Sequence, residues 1–400
     1  MEFKEKVKSL AQSISADILS WRRHIHANPE LSYQEHNTME FIAQVLSQQG
    51  IEFTKGVGKT GLVAWIKGKN PESKIIALRS DHDALPILEA NDVDYVSKNK
   101  GVMHACGHDV HTSCLLGAAT ILSRTTDEWE GTVKCIFQPG EERLPGGAKL
   151  MIKDGALKNP APEHIIGQHV FPDLEVGHVG MRSGMYMASA DELHLTIHGK
   201  GGHAALPSGT CNPILVASEI LLELEKMMES RGEKDVKTVL AFGFIEANGA
   251  TNVIPNSARL EGTFRSLCED WRFKAHDSMK KIVSRVCERR GATADFDVRV
   301  GYPSVYNNPE LTENFRGSAI EYLGEEKVHD LPERMTAEDF SFYAQEIPGC
   351  FFRLGTASKD SDLGHHGLHT PLFNIDEGAL EIGAGLMAWG AINSLRLKET

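Results

Sequence analysis

Three apolar runs that each end in acidic or imidazole residues restrict the fold of this chain more than any other feature. Lys74–Leu78 leads into Arg79-Ser80-Asp81-His82-Asp83, Gly131–Gln138 into Pro139-Gly140-Glu141-Glu142, and Glu163–Gln168 into His169-Val170. Short continuous apolar runs bounded by turn residues are buried strands, and helical segments between them call for a parallel sheet covered on both faces. Ligands bind in the crevice outside the carboxyl ends of such strands. The runs therefore predict an α/β domain with a mostly parallel sheet and a metal site at the carboxyl ends of its strands.

The stretch Met103–His111, MHACGHDVH, adds a thiol, three imidazoles and a carboxylate and runs into the apolar helical pattern Ser113–Ala119. Such a mixture suits zinc, manganese or cobalt. Alone, Cys106 and His108 fit a buried thiol and a core histidine as well as a metal site, because two ligands close no shell. The acidic strand ends tip the balance toward metal. Adjacent side chains on a strand or turn point to different sides, so one carboxylate of Glu141-Glu142 can hold metal while the other faces substrate. Metal-assisted hydrolysis needs that division: bound water is brought to a pKa of about 7, and a free carboxylate takes its proton and returns it to the leaving amine.

A chain of 400 residues exceeds what one core usually supports, so two domains are expected. A net charge of -13 argues against nucleic acid as a partner, and seven scattered cysteines argue against a disulfide framework and for a reducing, cytoplasmic setting. The N-terminal MEFKEKVKSLAQSISADILSW reads as an amphipathic surface helix rather than a signal peptide, and no run is long enough to span a bilayer. A second helix is expected from about Tyr33 to Gly50, with His24 and His26 in surface or packing roles. GVGKTG at Gly56–Gly61 is not read as a phosphate loop, since Phe53 stands where its first glycine belongs and no apolar strand precedes it.

From Asp191 the pattern changes to a strand at 191–198, a helix from Asn212 to Arg231, strands Val236–Ile245 and Ala258–Arg265, a helix Glu269–Arg290 and a strand Ala294–Val300. This βαββαβ order is ferredoxin-like. It predicts an inserted domain over residues 187–299, with the catalytic domain in two parts, 1–186 and 300–400. Three polar features mark the insert: His203 in a glycine-rich turn, Asn252 in TNVIP, and Arg265 at a strand end. Each also fits a capping or surface role. Arg265 suits a carboxylate, which a planar guanidinium binds bidentately. Past the insert, the loop holding His365, His366 and His369 offers a further ligand, spacing leaving open which one, before a final helix at Glu377–Leu395.

In order along the chain, MHACGHDVH, PGEE, QHV, GKGGHAALP, TNVIP, GTFRS, AEDFSFY and LHTPLF resemble the amidohydrolase branch of the two-metal zinc-peptidase superfamily. That branch includes N-acyl-amino-acid amidohydrolases, hippurate hydrolases and auxin-conjugate hydrolases, and the likeness runs from about Arg22 to the C-terminal helix. The resemblance implies hydrolysis of the amide of an N-acyl amino acid at two divalent metal ions, which can be zinc, manganese, cobalt or nickel. Cys106, His108, Glu142, His169 and His369 would be the ligands, Cys106 standing where related carboxypeptidases carry a bridging aspartate. Glu141 would be general base and acid for water held by the metals, and Asp83 would orient a ligand imidazole. The insert would be lid and dimer interface, giving a homodimer or higher homo-oligomer. His203 would hold the oxyanion in the partner's site, Asn252 would assist, and Arg265 would bind the substrate carboxylate. His82, Ser208 and Asn212 depart from the pattern and bear on substrate preference and lid packing. A dipeptidase or carboxypeptidase on the same machinery is the alternative; a silent binding protein or a zinc store would not need Glu141 beside the ligands.

Overall fold

The computed structural model describes residues 2–230 and 235–396; Met1 and Arg231, the outer ends of two expected helices, lie outside the described residues. The chain forms two compact units. One comprises Met1–Met185, Tyr306–Pro332 and Asp339–Thr400, the other Tyr186–Val305 and Glu333–Glu338.

The first unit is built on an eight-stranded sheet in the order Glu52–Val57, Gly61–Lys67, Thr132–Gln138, Ile75–Asp81, Ile165–Glu175, Gly349–Ala357, Val179–Met181, Val328–Asp330. The four strands from Thr132–Gln138 to Gly349–Ala357 run parallel. Antiparallel pairings flank them on either side. Thr132–Gln138 and Gly349–Ala357 are buried at every position, which is why the central strands read as continuous apolar runs rather than as alternation. The helix His108–Ser123 is buried from His108 to Leu122 and packs against Ser15–Ala27 and Gly378–Leu395. With no polar face to show, it cannot be a surface helix.

Two sequence readings need correction here, and the rejection of a phosphate loop holds. The N-terminal segment is two helices, Glu2–Ser13 and Ser15–Ala27, rather than one. The next helix begins at His36, because Tyr33 holds a φ of 67°, in the left-handed region that no helical residue occupies. The strand that leads into GVGKTG, Glu52–Val57, is largely exposed rather than apolar and pairs antiparallel with Gly61–Lys67, so the glycines form a hairpin turn with no helix after it to receive a phosphate.

Of the surface and packing roles read for the two histidines, His26 takes the buried one. It is fully buried, its Nδ1 2.8 Å from Asp109 Oδ2 and its Nε2 3.0 Å from Glu89 Oε1. Arg22, also fully buried, donates from Nε to the same Asp109 oxygen at 2.8 Å and from Nη2 to Asn374 Oδ1 at 3.0 Å. Since Asp109 is the second residue of the buried helix, this cluster fastens the helix at its first turn. His24 is exposed and stacks on Phe41 at 4.0 Å.

In the second unit, strands Thr238–Glu246, Ser257–Ser266, Asp191–His198 and Thr293–Val300 form an antiparallel sheet in that order. With helices Pro213–Ser230 and Glu269–Arg290 they give the ferredoxin-like arrangement. Asp191 ties it together, accepting from Arg272 Nε at 2.9 Å, His276 Nε2 at 2.7 Å and the Gly301 N–H at 3.0 Å. Among the described residues no helix is long and apolar enough to cross a membrane.

Candidate active site

The site forms in the first unit. Strand Ile75–Asp81 ends beside Asp83, strand Thr132–Gln138 runs into Glu141-Glu142, and the buried helix starts at His108 directly after Cys106-Gly107. His169 lies inside strand Ile165–Glu175, earlier along it than its sequence suggested. Gly107 makes the Cys-Gly-His turn possible: its φ is 81°, and a Cβ there would stand 2.5 Å from Val170 Cγ2. Gly107→Ala should lower stability by about 2 kcal/mol or more, from left-handed strain and overpacking together. Urea unfolding of the metal-free variant measures this, and unchanged stability would show the turn to be tolerant.

Donor atoms of Cys106, His108 and His169 lie within 4.8 Å of one another, as do those of Cys106, Glu142 and His369, and those of His108, Glu141 and Glu142. Cys106 belongs to two of these sets. Its Sγ is 3.4 Å from His169 Nε2, and Glu142 Oε1 is 3.1 Å from His369 Nε2. A tetrahedral zinc shell separates a sulfur and a nitrogen ligand by about 3.5 Å. His169 turns its Nδ1–H to the Val170 carbonyl at 2.8 Å, which leaves the Nε2 lone pair on the Cys106 side. His108 donates from Nδ1 to Asp83 Oδ1 at 3.1 Å, and its buried Nε2 makes no hydrogen bond. Both rings are thus held by the nitrogen a metal would not use. His369 is the one donor half-exposed to solvent; its backbone N–H donates to the Ala105 carbonyl at 2.8 Å. His365 instead bonds the Ser358 carbonyl through Nε2, and neither His365 nor His366 joins a donor set.

The electrostatics ask for a cation. Burial, with Glu142 and Glu141 adjoining, pushes the Cys106 thiol well up, so a thiolate there needs a positive partner. Against the effect of burial, Asp81 and Asp83 lift His108 to about 10; with no metal, the pocket would hold a proton in its place. Burial drives His82 down to about 4, leaving it neutral, and it joins no donor set. These residues fit two divalent ions.

Asp83 accepts four hydrogen bonds: His108 Nδ1–H and the Glu141 N–H on Oδ1, Ser32 Oγ–H and the Glu142 N–H on Oδ2. Despite full burial, these bonds hold its carboxyl below the usual range. Glu141 receives the Asp339 N–H on Oε1 at 3.4 Å. The Asp339 carboxylate is in turn gripped by Arg79, Gln138 and the Ala148 N–H.

In the second unit His203 and Asn252 are neighbours: His203 pairs with Val253, and the Ala204 N–H donates to the Asn252 carbonyl at 2.9 Å. Both side chains are exposed. Arg265 is half-buried, with Nη1 donating to the Met335 carbonyl at 3.0 Å.

The sequence reading missed Asp339 and the segment Ser32–Glu35. Asp339 stands in AEDFSFY, quoted there only for likeness. For Ser32–Glu35, no periodicity or ligand spacing gives a signal, since contacts across a hundred residues leave none.

The profile of peptidase family M20/M25/M40 matches residues 77–389. Thermostable carboxypeptidase 2 of Saccharolobus solfataricus is 38% identical over 388 residues, spanning 96% of this chain and 97% of its own. N-acetyl-L-cysteine deacetylase of Bacillus subtilis is 36% identical over 92% of this chain and 86% of its own. The crystal structure of Bacillus subtilis YxeP, described as a dinuclear metal binding peptidase of the M20 family, superposes with a TM-score of 0.81 at 32% identity, covering 96% of this chain and 99% of that one. The chain belongs to the M20/M25/M40 peptidase family. It is a metal-dependent hydrolase.

Proposed function

We propose that this hydrolase cleaves the amide bond of N-acyl amino acids, releasing a carboxylic acid and a free amino acid. The observation that carries the reading is Glu141, a carboxylate beside the His108 and Glu142 donors and held by the Asp339 N–H. Cys106, His108, Glu142, His169 and His369 would hold two divalent ions: zinc, manganese, cobalt or nickel. When bound, such ions lower the pKa of water and polarise a scissile carbonyl. Glu141 takes the proton of the attacking water and hands it to the departing amine. Asp83 keeps the His108 ring and the Glu141-Glu142 backbone in place.

The second unit, in this reading, is a lid and the contact surface of a homodimer. His203, helped by Asn252, donates to the developing oxyanion in the neighbouring protomer's site, and Arg265 takes the substrate carboxylate. A cytoplasmic setting fits the free cysteines. The name of the B. subtilis deacetylase favours the N-acyl reading, and that of the S. solfataricus carboxypeptidase supports a second, in which the acyl part is a peptide.

Amine release from acetyl, benzoyl and indole-acetyl amino acids and from plain dipeptides, with protein loaded in turn with zinc, manganese and cobalt, tests both. Chelator-sensitive cleavage of the N-acyl compounds is expected. Cleavage of dipeptides alone would transfer the protein to the peptidases, and silence across the panel would remove the substrate class proposed.

A further inference from the structure

The turn that carries Glu141 and Glu142 is held from outside by a segment more than a hundred residues earlier. Three successive backbone N–H groups, those of Gly140, Glu141 and Glu142, donate to only two carboxylates. Glu35 Oε1 receives the first at 2.9 Å, and Asp83 receives the other two at 3.0 Å each. The far side of the turn is held by Tyr33, whose hydroxyl donates to the Arg143 carbonyl at 2.6 Å and accepts the Gly146 N–H at 3.1 Å. Ser32 closes the arrangement with its hydroxyl on Asp83 at 2.6 Å.

Several features mark this as more than packing. Glu35 is fully buried and has no cationic partner among its hydrogen bonds; its second oxygen accepts from Thr60 Oγ1 at 2.6 Å. Burial, with Asp83 nearby, pushes its carboxyl up to about 7. An acid kept at that cost beside an acidic site calls for a reason. Tyr33 has its φ of 67°, a conformation bulky residues seldom adopt, and its ring lies so close to Gly140 that a Cβ there would stand 2.3 Å from it. The chain thus bends against its preference to bring Ser32, Tyr33 and Glu35 onto one turn.

We propose that Glu35 is a positioning residue of the hydrolytic site, acting with Tyr33 and Ser32 as a clamp that fixes the Gly140–Gly146 turn so that Glu141 and Glu142 face the metals and the substrate. The proposal rests on the roles given to Glu141 and Glu142 above. Glu35 touches neither substrate nor reacting atoms; it acts through the backbone of the turn. What the clamp needs is an acceptor for the Gly140 N–H and any partner for the Thr60 hydroxyl. A glutamine supplies both, its carbonyl accepting from Gly140 and its amide donating to Thr60 Oγ1.

Hydrogen exchange over residues 139–147 in the metal-loaded protein reads the clamp without reference to any substrate. Loss of the acceptor for the Gly140 N–H in Glu35→Ala should speed exchange there about tenfold. On the N-acyl amino acid that the wild type cleaves, kcat should fall about 100-fold, with KM and metal content within about twofold, the signature of misplacement rather than of lost binding. Glu35→Gln should bring exchange and kcat back to within about threefold of wild type, since both hydrogen bonds are kept. Unchanged exchange in Glu35→Ala, a Glu35→Gln as impaired as the alanine variant, or a kcat loss that follows loss of metal would each overturn the proposal. Should Glu35→Ala not fold, Tyr33→Phe serves instead: faster exchange at 143–147 supports the clamp, and wild-type exchange refutes it. If exchange rises as stated but no form of the protein cleaves an N-acyl amino acid, the substrate reading falls while the clamp stands.

Discussion

Glu141→Gln is expected to lower kcat by about 10³–10⁴-fold, the upper range for a group that both accepts and returns a proton. The substitution keeps the shape of the side chain and leaves the Glu141 N–H on Asp83 and an oxygen for the Asp339 N–H. It removes the negative charge and with it the affinity for a proton. Metal content should stay at the wild-type level, because the sets Cys106–His108–His169 and Cys106–Glu142–His369 do without Glu141. KM should move little, since no part of substrate binding is assigned to this carboxylate. Steady-state kinetics beside metal analysis gives the answer: a variant at half the normal rate would remove Glu141 from the chemistry, and one that loses metal in step with activity would make it a ligand.

The largest effect on stability is expected from Arg22→Ala. The change strands the Asp109 carboxylate in the core with His26 as its remaining charged partner, and breaking a buried pair from one side costs about 3–5 kcal/mol. The loss should also depend on pH in a definite direction. Against the effect of burial, Arg22 and His26 depress the Asp109 pKa, so its stabilising contribution is present above about pH 4 and lost as pH falls further. Burial and Arg22 lower the His26 pKa and Asp109 raises it, for a net rise; its contribution is complete below about pH 6.5 and lost as pH climbs through the folded value. In wild type Arg22 remains charged throughout. Without it the cluster relies on protonated His26, so the variant should lose more at pH 8 than at pH 6. Urea unfolding at both values measures this; a loss under about 1 kcal/mol and independent of pH would mean that the surrounding structure re-solvates Asp109.

How much of this was legible in the sequence follows from the distance over which each signal acts. The central strands could be read because burial on both faces favours apolar side chains on each, as at Val133, Cys135, Ile136 and Phe137 in Thr132–Gln138. The helix Glu269–Arg290 could be bounded at both ends because an acidic first turn and a glycine after the last turn, Gly291, are local start and stop chemistry. The family could be named because its motifs are short and rich in unusual side chains, and the donors taken from them converge in space. Ranges failed where a single residue overrides a pattern, as Tyr33 does ahead of His36. For His26 surface and packing roles stayed open, because an exposed histidine and one buried between Asp109 and Glu89 look alike until their partners are known. Glu35 and Asp339 escaped for a similar reason: each acts on Glu141 or its turn from far along the chain, and no spacing rule covers a separation of 105 or 198 residues.

The strand Gly349–Ala357 pairs with Ile165–Glu175 on one side and Val179–Met181 on the other, although more than 160 residues of chain separate it from both. On a ribosome it emerges long after its neighbours. Until it arrives, the first eight residues of Ile165–Glu175, all destined for the interior, present an unfilled apolar edge, the kind of surface that recruits other chains. The second unit, contiguous apart from Glu333–Glu338, is complete in the meantime. Biogenesis of this enzyme is therefore a wait: a finished insert is carried by a half-built sheet, and truncation between Glu175 and Gly349 leaves a chain prone to aggregate.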